Sequence, residues 1–161
     1  MKDIIEDAFD KAERLCNEKT RALFPNYNFI RSEAGEVYDF SGHTKNLSSS
    51  NKNFFLEVKN RECASTDFYD ETCYLEAEKL YSLITIANGA DADIHYLNFY
   101  EDGVAYCYNL SNIKITEVKI SKKMLPYKTK MDKEILREKL VVELPYSLAK
   151  KYTYVNDFKT N

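Results

Sequence analysis

The amino-acid sequence predicts an α/β fold, one sheet sandwiched by helices, and three observations carry that expectation. Two stretches place apolar residues at helical spacing, and short runs rich in Val, Ile, Phe and Tyr stand between and after them, bounded by turn residues. The chain has 161 residues, 44 % hydrophobic and 30 % charged, enough to fill one core and short for two. The element order is helix, three strands, helix, two or three strands and a mixed tail, in a single domain over residues 1–161.

The first helix is expected from about Asp3 to Leu23, where Ile5, Ala8, Phe9, Ala12, Leu15 and Cys16 form an apolar stripe, and Pro25 ends it. Tyr27–Arg31 and Val37–Phe40 have the composition of strands, separated by a turn at Ala34-Gly35. From Ser41 to Asn53 the residues are polar without apolar rhythm, which predicts a loop. Phe54 to Val58 is almost continuously apolar, the mark of a strand covered on both faces.

A second helix is expected from about Glu71 to Asn88, with Cys73, Ala77, Leu80, Ile84 and Ala87 on one face and Asn88-Gly89 as its stop. Ile94–Tyr100 and Val104–Tyr108 flank the turn Glu101-Asp102-Gly103 as a hairpin, and its tyrosines 96, 100, 106 and 108 are assigned to packing beneath helices. Ile113–Ile120 alternates as a strand, and Pro126 breaks the chain. Asp132–Lys139 has a helical pattern, and a short helix around Pro145–Lys150 follows.

Composition narrows the function classes. No run of 18 apolar residues occurs and Met1–Asp7 is acidic and amphipathic, so the expectation is a cytoplasmic protein without membrane contact. Cys16, Cys63, Cys73 and Cys107 contain no Cys-x-x-Cys pair and are expected as buried free thiols, and the two histidines, His43 and His95, offer no zinc spacing. The net charge of −3 is uneven: Lys114–Lys139 holds nine Lys or Arg against four acids, about +5 there and about −8 elsewhere. Such a basic flank beside an acidic metal site suits a phosphodiester substrate, and it equally suits a solvated loop and helix start.

The strand around Glu57 carries the chemistry. Residues two apart on a strand share a face, so Glu57 and Lys59 stand side by side after Phe55, while Leu56 and Val58 face the other way. Charges on a buried strand call for a metal, a partner charge or a substrate in compensation. With 15 Glu and 18 Lys, about two Glu-x-Lys triplets arise by chance, and Glu117-Val118-Lys119 is a second one, in a stretch that alternates as a half-solvated strand. Context separates the two: an Asp39 strand precedes Glu57, and a hairpin of that kind brings Asp39 alongside it, since opposed residues on one face have Cβ atoms roughly 4.5–5.5 Å apart.

A helix, a strand bearing Asp39, a strand bearing Glu57-Val58-Lys59, then a helix and a further strand resembles the core of the PD-(D/E)xK nuclease superfamily. The resemblance spans about residues 3–110, leaving a basic C-terminal extension over about 111–161, and Tyr38 stands where the name-giving proline would be. It implies a restriction-endonuclease-like core, a central mixed sheet flanked by helices in the order αβββαβ, and a Mg²⁺-dependent endodeoxyribonuclease in which Mn²⁺ substitutes. It further implies a metal held by Asp39, Glu57 and the Val58 carbonyl, with Lys59 orienting or activating the water. Hard oxygen donors of this kind suit Mg²⁺ on chemical grounds as well.

The resemblance adds further candidates: Glu13 on the first helix as another metal carboxylate with Glu6 two turns before it, Lys79 as a substrate-binding residue on the second helix, and His43 and Lys45 as phosphate contacts from the loop. Each has a plainer reading, Glu13 as a solvated acid and Lys79 as the i,i+3 partner of Glu76. DNA is the implied partner and a homodimer a further one. The alternative is a catalytically inactive nuclease-fold module that binds nucleic acid or a protein.

Overall fold

The computed structural model describes residues 8–33, 35–44, 53–67, 69–128 and 132–155. Helix α1 (Ala8–Leu23) leads into strands β1 (Tyr27–Arg31), β2 (Phe40–Thr44), β3 (Phe54–Asn60) and β4 (Thr72–Glu76), then helix α2 (Ala77–Ala90). Strands β5 (Asp93–Phe99), β6 (Val104–Asn109), β7 (Lys119–Lys128), β8 (Asp132–Pro145) and β9 (Lys150–Thr153) follow. They form two sheets where one was expected: six strands in the order β1-β2-β3-β5-β6-β9, and three in the order β4-β8-β7. Strand β3 lies inside the larger sheet, antiparallel to β2 and parallel to β5. A parallel neighbour requires a crossover, and β4 with α2 supplies it.

The alternation of β3 divides the core. Phe54, Leu56 and Val58 join Phe29, Phe40, Leu97 and Phe99 on one face, with Cys16 and Leu23 of α1 packed against them. On the opposite face Ile94, Tyr96 and Tyr108 meet Leu83 and Ala87 of α2 together with Leu75, Val142 and Leu144 of the small sheet. The hairpin tyrosines therefore pack as expected, but beneath one helix and a sheet. Leucines buried as completely as Leu83 and Leu97 contribute about 2 kcal/mol each. Lys19 of α1 is also buried; its ammonium donates to Asn60 Oδ1 at 2.9 Å and lies over the Phe99 and Tyr154 rings, tying α1 to the end of β3. Among the described residues no helix is long and apolar enough to cross a membrane.

Several local expectations are corrected. The predicted strand Val37–Phe40 is displaced: β2 begins at Phe40 and continues through Ser41–Thr44, which the polar composition assigned to a loop. Pairing with β1 on one side and β3 on the other supplies the backbone partners that the side chains do not advertise. Gly42 is required there, since a Cβ would stand 2.1 Å from the Asn28 carbonyl oxygen and 2.7 Å from Phe54.

The expected helix over 71–88 is strand β4 followed by α2. Thr72-Cys73-Tyr74-Leu75 alternates in burial, Cys73 and Leu75 inward, and β8 pairs with it along its length. The expected strand 113–120 is a 3₁₀ turn at Ile115–Glu117 followed by β7, because the Glu117 carboxylate takes the Lys114 N–H at 2.8 Å and closes the turn. The helical charge spacing over 132–139 gives way to β8, which pairs with β7 over its whole exposed length, and Pro126 sits within β7 beside a register shift instead of ending it. The short helix at 145–150 reduces to a 3₁₀ turn, Tyr146–Leu148, before β9. Of the four thiols, all free, only Cys73 is fully buried. Residues 3–7 of the predicted first helix, Glu6 among them, lie outside the described residues.

Candidate active site

Strand pairing delivers Asp39 to Glu57. Phe40 is the register partner of Leu56, so Asp39, the residue before, falls opposite Glu57. Its backbone N–H donates to the Leu56 carbonyl at 3.0 Å, and its Oδ2 accepts the Val58 N–H at 2.7 Å. The N–H and C=O of one strand residue point to the same side, so the Val58 carbonyl faces the same edge as the Asp39 carboxylate. Two carboxylates and one carbonyl thus share the place where β2 has yet to begin covering β3.

Glu57 is the most buried charged side chain among the described residues. Its side chain is 1 % exposed, with Lys59 Nζ 3.1 Å from Oε1 and Lys79 Nζ 2.9 Å from Oε2. Lys59 follows on the same strand face, whereas Lys79 reaches in from the first turn of α2. Glu57 Oε2 is buried and in ion-pair range of Lys79, yet accepts no hydrogen bond among the described residues.

The electrostatics follow from this crowding. Burial, and then the Glu57 carboxylate, push the Asp39 carboxyl up to about 6, while the Val58 N–H and the two ammoniums pull the other way. Burial alone would lower Lys59, but Glu57 outweighs it and holds the ammonium above its usual value. The centre therefore balances two acids against two ammoniums.

A second polar row continues the same strand face. Arg61, two residues beyond Lys59, donates from Nε to Asn98 Oδ1 at 3.0 Å and from Nη2 to the Tyr96 hydroxyl at 2.7 Å, and that hydroxyl donates to the Tyr74 carbonyl at 3.1 Å. Asn98 pairs with Lys59 in register and Tyr96 with Glu57, so this network backs the carboxylate and the lysine. Sequence reasoning missed it, although period two from Glu57 reaches Arg61, and Asn98 is a polar letter between Leu97 and Phe99.

Asp39, Glu57, Val58, Lys59 and Lys79 come together, and other candidates do not. Glu13 Oε2 is 2.6 Å from Arg31, both side chains substantially exposed. No group of three or more His, Cys, Asp or Glu among the described residues is placed to hold a metal, so Glu13 does not join Asp39 and Glu57 as a third carboxylate. Glu76 pairs with Lys139 at 2.8 Å, leaving Lys79 to Glu57. His43 lies in β2 and contacts Asn28 Nδ2 at 3.2 Å, and Lys45 lies outside the described residues. Glu117-Val118-Lys119 sits at the end of the 3₁₀ turn, where Lys119 stands 4.0 Å from Glu143.

A solved structure of Hjc, a Holliday junction resolvase from the archaeal hyperthermophile Archaeoglobus fulgidus, is similar to this chain. The TM-score is 0.53 at 14 % identity, over 87 % of this chain and 90 % of that one. No family model and no curated protein matches the sequence.

Proposed function

We propose that this chain, which has the restriction-endonuclease-like fold seen in that resolvase, is a divalent-metal-dependent endonuclease hydrolysing phosphodiester bonds in DNA. The observation that carries the reading is the meeting of Asp39, Glu57 and Val58 at one edge of β3, with Lys59 on the Glu57 carboxylate. The donor set is hard oxygen, suited to Mg²⁺ or Mn²⁺, and the buried Glu57 Oε2, which accepts no hydrogen bond, fits a cation taking the place of the Lys79 ammonium. When bound, the cation lowers the pKa of the attacking water and neutralises charge growing on the scissile phosphate.

The chain's own side chains do the rest. Asp39 is steered by the Val58 N–H, which fixes where its carboxylate lies. Lys59 stays an ammonium beside Glu57, so it serves as donor and counter-charge that orients the water and stabilises the phosphorane-like charge, and not as a base at neutral pH. Lys79 stands on the same carboxylate, placed to meet a phosphate of the substrate. A homodimer is a further proposal from the resemblance, checked by sedimentation equilibrium as a species of twice 18.8 kDa.

The test is a panel of linear, circular, single-stranded and branched DNA, four-way junctions included, with Mg²⁺ or Mn²⁺. Divalent-dependent cleavage is expected, lost in Lys59→Ala while fold and metal binding persist. Intact substrates throughout the panel overturn the reading.

A further inference from the structure

Glu57 carries two ammoniums, and they are not equivalent. Lys59 belongs to the same strand face as Glu57 and neighbours Oε1 at 3.1 Å, so β3 itself sets it beside the carboxylate, with its side chain 45 % exposed. Lys79 approaches from another element, with its side chain 31 % exposed, and lies 2.9 Å from an oxygen that accepts no hydrogen bond. A buried carboxylate needs a counter-ion in every state of the protein, and the pairing with Lys79 is the one that can be exchanged without moving β3.

The charge of the centre makes the same demand. Asp39 and Glu57 against Lys59 and Lys79 are balanced with no metal present. A divalent cation on Oε2 would meet the Lys79 ammonium at the same oxygen, where the like charges repel. A four-carbon stem starting in the first turn of α2 gives that ammonium room to swing toward solvent, where an anionic backbone would lie.

We infer that Lys79 is an exchangeable counter-ion: it neutralises Glu57 while no divalent cation is bound, and passes to a substrate phosphate oxygen when a cation takes its place on Oε2. This rests on the reading of Asp39 and Glu57 as cation ligands, and it makes Lys79 a positioning and substrate-binding residue that opposes metal binding. A merely structural lysine, or one that only touches phosphate, has no such opposed effects. Metal and DNA are thereby coupled, each binding more tightly in the presence of the other.

The experiment is calorimetric titration of Mn²⁺ alone into wild type, Lys79→Met, Lys79→Arg and Asp39→Asn. A four-way-junction DNA is then titrated into the same proteins in Ca²⁺, with thermal melts confirming that each variant is folded. Lys79→Met is expected to bind Mn²⁺ more tightly, by on the order of tenfold, and DNA more weakly, while Lys79→Arg stays near wild type on both. Unchanged or weaker Mn²⁺ binding by Lys79→Met overturns the exchange, as does unchanged DNA binding. If Mn²⁺ binding to wild type is absent or indifferent to Asp39→Asn, the cation site itself fails, a result distinct from failure of the exchange alone.

Discussion

Asp39→Asn tests the electrostatics of the site without requiring any catalysis. In the folded, metal-free protein the Asp39 carboxyl titrates near 6 against an ordinary 3.8, raised by burial and by Glu57. The direction sets the pH window. The folded state holds the proton more tightly than the unfolded chain, so the contribution of Asp39 is most favourable below about pH 4 and is lost as pH rises through about 6. Two pH units at about 1.4 kcal/mol each make the ionised carboxylate unfavourable by up to about 3 kcal/mol above pH 7. Asparagine keeps an oxygen for the Val58 N–H and removes the charge, so the variant is expected to exceed wild type by only about 1 kcal/mol near pH 4.5 and by about 2–3 kcal/mol at pH 8 in EDTA.

Urea unfolding at the two pH values reads this directly. With a slope of about 1–3 kcal/mol/M, the pH 8 midpoints should separate by on the order of 1–2 M. Comparing the two proteins cancels every other titrating group. Parallel stability curves from pH 4.5 to 8, or a less stable variant at pH 8, would refute the burial of Asp39 against Glu57. Adding Mn²⁺ should reverse the ranking at pH 8, since the cation binds only the folded wild type tightly and stabilises it by mass action.

The remaining predictions address separate links. Lys59→Ala should lower kcat by about 10²–10³ with the melting temperature nearly unchanged, because its side chain is 45 % exposed and its proposed work lies in the transition state; a loss under fivefold would remove it from the chemistry. Gly42→Ala forces a methyl to within 2.1 Å of the Asn28 oxygen, so urea unfolding should show a loss of more than about 2 kcal/mol, and a neutral result would contradict the β1–β2 register. Glu76→Gln removes a half-exposed partner of Lys139, and both cleavage and stability should stay within about 1 kcal/mol of wild type. A large loss of cleavage there would mean that Lys79 does depend on Glu76.

Burial patterning is what made the core legible. The nearly continuous apolar run of Phe54 to Val58 correctly marks a strand covered on both faces, and Glu57 stands out because almost no solvent is available to it. The alternation of polar and apolar letters was less informative where tertiary pairing decides. Ser41–Thr44 has polar letters and is a strand because β1 and β3 flank it, and Asp132–Lys139 has helical charge spacing and is a strand because β7 lies beside it. The second sheet was illegible for the same reason: β4 joins β8 across more than 60 residues of sequence, and no local window contains both.

The same distinction applies inside the site. Asp39 was found from sequence because a hairpin is a near-neighbour event, and the register Phe40 to Leu56 needs only the correct pairing of consecutive strands. For Lys79 the plainer reading of the sequence, i,i+3 pairing with Glu76, does not hold. That assignment presumes a helix running through both residues, whereas Glu76 ends β4 and faces Lys139, and α2 begins at Ala77. The break between β4 and α2 frees Lys79 from its sequence neighbour and turns it onto Glu57. A lysine placed there by a helix start, and not by the strand that holds the acids, can leave the carboxylate without disturbing the sheet. On the proposed exchange, that separation of a strand-borne and a helix-borne cation keeps one buried glutamate neutralised with or without a divalent ion.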